Sequence, residues 1–115
     1  MKLRTVIRGV LGFSVGSVLM RAGPSHAVDA DAAQALAKKN DCFKCHAIDK
    51  EKKGPSYKKI AAKYKGKADA EEKAIKNMTT SPKVKLDDGT EEEHKAINTK
   101  DAAAIKNLAQ WILAQ

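Results

Sequence analysis

Residues 42–46 read CFKCH, with Cys42 and Cys45 the only two cysteines and His46 one of three histidines in a chain of 115 residues. Two residues between the thiols let both sulfurs reach the two vinyl groups of one porphyrin, and the next residue brings an imidazole beneath its iron. Random placement of two cysteines and three histidines gives this arrangement about five times in ten thousand, so the competition is other chemistry. A thioredoxin-like dithiol needs a strand–turn–helix setting, whereas the flanks here are lysine-rich and helical in pattern. A structural zinc site needs two more ligands, and His46 directly beside Cys45 is badly spaced to be one. A local disulfide stays open as the bland alternative in an oxidising compartment. Covalent haem attachment uses all three residues at once.

Upstream, residues 1–27 read as an export signal: basic Lys2, Arg4 and Arg8, an apolar run Gly9–Met20, and small residues ending in Ser25-His26-Ala27. The run is too short and too interrupted by glycine and serine to span a bilayer. No cysteine follows Ala27 to accept a lipid, and no arginine pair marks the twin-arginine route. The expectation is a cleaved signal at 1–27, a domain at 28–115, export by the general secretory route, a periplasmic location and no membrane span after cleavage. The signal holds four of the 22 basic residues and none of the 14 acids, which leaves +4 on residues 28–115. Their lysines alternate with acids and alanines without aromatics between them, a pattern that argues against nucleic acid as a partner. The domain is small and poor in aromatics, so its core calls for a staple or a cofactor.

Helical patterns flank the motif. Asp29–Asn40 is alanine-rich, with acids first and Lys38 and Lys39 last, the order a helix dipole favours. After Gly54-Pro55, Ser56 can cap a short helix that stops before Gly66, with Tyr57, Ile60, Ala61 and Tyr64 on one face. A third helix is expected from Asp69 to about Met78, burying Ala74, Ile75 and Met78 and ending at Ser81-Pro82. Residues 83–98 lack a helical period and read as a loop with a small hairpin turning at Asp88-Gly89. The last helix is capped by Thr99 in this reading, with Ile105, Leu108, Ala109, Ile112 and Leu113 as its apolar stripe and Trp111 beside it.

Four helices around one N-terminal Cys-x-x-Cys-His resemble the class I cytochromes c of the small bacterial monohaem type. The resemblance runs over nearly all of residues 28–115 and is carried by KKNDCFKCHAID (38–49), GPSYKKIAAKYKGK (54–67) and IKNLAQWIL (105–113). It implies an all-α fold of about four helices around one covalently bound haem c. It further implies thioether bonds from Cys42 and Cys45, His46 as proximal ligand, Pro55 offering its carbonyl to the ring N–H of His46, and Trp111 near the crossing of the terminal helices.

Two departures stand out. The family commonly has an aromatic residue on the first helix where this chain has Ala37. Relatives also carry a methionine in the loop before the last helix as second iron ligand, and none is present there. The substitutes are His94, which lies in that loop 48 residues after His46, Met78 at 32 residues after it, the lysines, or an open position. His94 is taken as the distal ligand.

A bis-histidine haem suits a single-electron carrier between a redox protein donor and acceptor, and no enzyme activity is expected. Two other readings keep the fold. In one, His94 detaches so that the iron binds a small gas or peroxide. In the other, the chain is the haem subunit of a larger periplasmic redox enzyme. Glu91, Glu92 and Glu93 beside His94 are expected to be solvated.

Overall fold

An acidic cap, a run of alanines and two lysines make the first helix, α1 (Ala30–Lys39), where the Asp29 carboxylate accepts a hydrogen bond from the Ala32 N–H at 3.0 Å. The computed structural model describes Gly16 and residues 27–115. The segment read as an export signal, residues 1–27, lies outside the described residues except for Gly16 and Ala27, as does the apolar run within it. The remaining elements are α2 (Cys42–Cys45), α3 (Tyr57–Tyr64), α4 (Ala70–Thr79), strands β1 (Lys83–Lys85) and β2 (Glu91–Glu93), and α5 (Ala102–Leu113). Among the described residues no helix is long and apolar enough to cross a membrane.

The expected four helices are all present, and α2, one turn made by the haem-type motif itself, is a fifth. In α3 the Ser56 hydroxyl accepts from the Lys59 N–H at 3.1 Å, and the chain leaves the helix through Gly66 at φ +76°. Asp69 begins α4 without a capping bond and instead pairs with Lys73 at 3.0 Å. The hairpin is antiparallel, with Lys83 opposite Glu93, Val84 opposite Glu92 and Lys85 opposite Glu91, so opposite charges face each other across it. Gly89 turns it at φ +85°, a conformation that only glycine adopts without strain.

One expectation is corrected. Thr99 does not cap α5: the Asp101 carboxylate does, accepting from the N–H groups of Ala103 and Ala104 at 3.1 and 3.2 Å. The Thr99 hydroxyl accepts from Asp101 N–H one step earlier, at 3.2 Å. A carboxylate reaches two orphan donors and carries the charge favoured at a helix N-terminus, so it outcompetes the hydroxyl.

Helix α5 is the centre of the domain and packs against α1, α3 and α4. Where the family commonly has an aromatic, Ala37 is fully buried, and Ala109 on α5 is equally so. Small side chains on both helices let them approach closely. Asn107 on α5 reinforces the crossing, accepting from Asp29 N–H at 2.9 Å and donating to Asp29 O at 2.8 Å. Leu108, Ile105 and Ile112 fill the core as the stripe predicts, and Trp111 joins them at 5% exposure.

Two stability predictions follow from these contacts, both read by denaturant unfolding of the holoprotein. Asp101→Ala costs about 1 kcal/mol through the lost cap while Thr99→Ala costs less than half of that. Leu108→Ala costs about 2–5 kcal/mol, as a large-to-small change at a closed core site does.

Candidate functional site

Cys42 and Cys45 occupy the ends of α2, three residues apart and so on one face of a single turn, and both are half-buried free thiols. Asp41 enters this turn in the left-handed conformation at φ 59°. At His46 the backbone switches to extended, φ −123° and ψ 127°, which directs the chain out of the turn along the wall of a cavity of about 830 Å³. Both cysteines, His46, His94, Pro55 and Tyr57 line it. Its volume falls within the about 300–1,000 Å³ usual for cofactor and small-molecule sites.

The His46 ring is held on three sides. Its Nδ1 lies 2.7 Å from the Pro55 carbonyl oxygen. A carbonyl can only accept, so Nδ1 carries the proton and the lone pair stands on Nε2, the tautomer a metal-binding histidine needs. Tyr57 stacks on the ring with centroids 5.4 Å apart and planes at 30°. Gly54 forms the third side: a Cβ there would sit 2.6 Å from His46 Cε1 and 3.0 Å from Nδ1, closer than real contacts allow. Gly54 is needed for this approach, with its own N–H bonded to Cys45 O at 2.8 Å.

Opposite lies His94, its ring centroid 6.0 Å from that of His46 and its plane tilted by 39°. Metal–nitrogen bonds of about 2.0 Å and ring radii of about 1.1 Å put the centroids of two trans imidazole ligands about 6 Å apart. Strand β2 runs directly into His94, whose N–H donates to Pro82 O at 2.8 Å. Three residues on, the Ile97 N–H donates to Met78 O at 2.9 Å and the Ile97 side chain is buried. Burial lowers the pKa of His94 below the ordinary histidine value; the charge of His46 adds to this, and the Lys95 and Asn77 carbonyls oppose it. Burial and the charge of His46 both disfavour the protonated ring, the form that cannot bind a metal.

Two buried polar atoms at this cavity have no protein partner, His94 Nδ1 and the Tyr57 hydroxyl. Burial raises the pKa of the Tyr57 hydroxyl far above its ordinary value, with Cys42 adding to the shift, and burial also raises that of the Cys42 thiol. Buried polar groups are almost always satisfied, so a wall with two orphans fits a site completed by another group. Paired thiols, facing imidazoles and mixed polar and apolar walls together fit haem c.

The alternatives fare differently. The motif follows a helix and no strand, which removes the dithiol setting. Among the described residues no cluster of three or more His, Cys, Asp or Glu side chains converges as a metal site, so a zinc reading lacks ligands. Met78 borders the same cavity but belongs to the buried core. Of the six lysines on the cavity wall, Lys44 and Lys95 pair with Asp41, Lys53 with Glu92 and Lys59 with Glu51, while Lys63 and Lys85 have no such pair. Glu91, Glu92 and Glu93 are exposed. The roles of Gly54 and Tyr57 at the His46 ring were not foreseen; a Gly-Pro step shortly after the motif was the only sign of the first.

The sequence model of the family described as cytochrome c matches residues 30–115. Cytochrome c-551 of Pseudomonas aeruginosa is 31% identical over 90 residues, covering 75% of this chain and 79% of that protein. Cytochrome c-552 of Nitrosomonas europaea is 48% identical over 60 residues, 52% of this chain, and the match spans only 53% of that relative's length. Among solved structures, the class 1 cytochrome MtoD from Sideroxydans lithotrophicus ES-1 superposes with a TM-score of 0.74 at 63% identity, covering 76% of this chain and 97% of that one.

Gly54→Ala is expected to push the His46 ring off the Pro55 carbonyl, seen as a high-spin component in the absorption spectrum of the haem-loaded protein that wild type lacks. Burial disfavours the protonated His94 ring, and a bound metal competes with the proton for a ring nitrogen. If His94 holds the haem iron, an acid titration of the haem-loaded protein followed at the high-spin absorption band should show a midpoint below the ordinary histidine value of about 6.5, and a midpoint above it would contradict that ligation.

Proposed function

Because the chain belongs to the cytochrome c family, we propose that it carries single electrons between a redox protein donor and acceptor through one covalently attached haem c, as a carrier and not as an enzyme. Cys42 and Cys45 form the thioether bonds in this reading, and His46 binds the iron through Nε2 with Pro55 holding its other nitrogen. His94 takes the position that relatives give to a methionine. Residues 1–27 act as a cleaved signal that delivers residues 28–115 to the periplasm by the general secretory route.

The observation that carries the histidine ligation is the 6.0 Å between the two ring centroids across a cavity bordered by both cysteines. When bound, the haem supplies a one-electron ferric–ferrous couple, at a potential that imidazole in place of a thioether lowers. The protein's share is to hold two imidazoles still. Gly54, Pro55 and Tyr57 fix one ring, while the hairpin and the buried Ile97 fix the segment bearing the other. Were His46 and His94 both to hold the iron, no coordination site would stay open for a substrate, which favours a carrier over a gas- or peroxide-binding protein. No arginine follows residue 27 to assist peroxide chemistry.

Absorption spectra of oxidised and reduced holoprotein, wild type and His94→Ala, test the reading. Wild type should be low-spin in both states, without a far-red methionine band, and should react with carbon monoxide only slowly. His94→Ala should be high-spin and take up carbon monoxide. A methionine band in wild type, or a variant that stays low-spin, would refute His94 as the ligand.

A further inference from the structure

We propose that Asn40 is a positioning residue for His94, an inference that rests on His94 being the distal ligand. Asn40 is the last residue before the Asp41-Cys42 step and is 4% exposed, one of two buried polar residues among the described ones. The other, Ser56, is accounted for by the cap of α3. The Asn40 side chain uses both ends: Nδ2 donates to Leu36 O at 2.9 Å, and Oδ1 accepts from the Asn98 N–H at 2.7 Å across 58 residues of sequence. The Leu36 carbonyl can only accept and the Asn98 N–H can only donate, so the amide orientation is fixed.

His94 hangs between two anchorages. On one side its own N–H is bonded to Pro82 O as β2 ends. On the other the chain is pinned at Ile97 to Met78 O and at Asn98 to Asn40. Lys95 also pairs with Asp41 at 2.9 Å, but both side chains are largely exposed and such a pair adds little. The Asn40 bond is thus the part-buried link between the segment bearing His94 and the end of α1 that carries the thioether motif. Replacing Asn40 by leucine keeps the branched shape of the side chain and leaves the Asn98 N–H without its partner, a loss that falls on the far anchorage of His94.

The test is the reaction of ferrous holoprotein with carbon monoxide. At high carbon monoxide the observed rate reaches a limit set by departure of His94. In Asn40→Leu this limit should rise about tenfold, the effect of one such hydrogen bond lost with its partner unsatisfied. Asn40→Asp keeps the acceptor for Asn98, but its second oxygen faces the Leu36 carbonyl and replaces the lost donor only while the carboxyl holds a proton; with the carboxyl protonated the limit should stay within about twofold of wild type. A limiting rate in Asn40→Leu within that same range of wild type would overturn the proposal, whatever the variant's melting temperature. A wild-type rate that climbs linearly with carbon monoxide and shows no limit would overturn it together with the ligand assignment. Hydrogen exchange on wild type gives a check free of any folding defect: the Asn98 amide should exchange at least about tenfold more slowly than that of exposed Lys100, and equal rates would overturn the role of Asn40.

Discussion

The 6.0 Å between the imidazoles of His46 and His94 is the constraint on which the rest of the molecule depends. The two rings come from distant parts of the chain and are held by different means. His46 is fixed locally, by a carbonyl that sets its tautomer, a tyrosine that stacks on it and a glycine whose missing side chain makes room. His94 is fixed at a distance, through a hairpin on one side and the buried Ile97 and Asn98 contacts on the other. The placement of His94 is therefore a property of tertiary structure.

The same division explains the economy of the fold. With few aromatics, the domain concentrates them on the proximal side, where the Phe43, Tyr57 and Trp111 rings meet edge to face at 5.3–6.4 Å. The terminal helices meet through alanines, and side-chain hydrogen bonds such as that of Asn107 complete the crossing. What the protein lacks in hydrophobic bulk is supplied in the holoprotein by the porphyrin, whose cavity is wider than any void a well-packed core tolerates. Four of the six lysines on the cavity wall sit beside an acid, which offsets part of the positive charge there.

Much of this was legible in the residues because local rules decide it. The pentapeptide names its cofactor chemistry, caps and breakers bound α1, α3 and α4, and the stripe from Ile105 to Ile112 marks the buried face of α5. His94 could be singled out because residues 28–115 contain just one histidine besides His46. The cap of α5 shows the limit of such rules, since Thr99 and Asp101 are both good caps and the choice falls to the carboxylate that reaches two N–H donors. Gly54 and Asn40 were beyond reach for a related reason. A glycine needed for close approach looks like any turn glycine, and an asparagine that bonds a backbone N–H 58 residues away leaves no local trace.

The most direct test of histidine on both faces of the haem is a nitrogen-15 spectrum of ferrous holoprotein labelled only in histidine, after removal of residues 1–27, so that His46 and His94 are the only labelled residues. If the account is right, both imidazoles show the large ring-current shifts of haem ligands, and neither exchanges its ring N–H rapidly with solvent. One shifted imidazole and one ordinary, freely titrating histidine, together with an upfield-shifted methionine methyl from Met78, would contradict it.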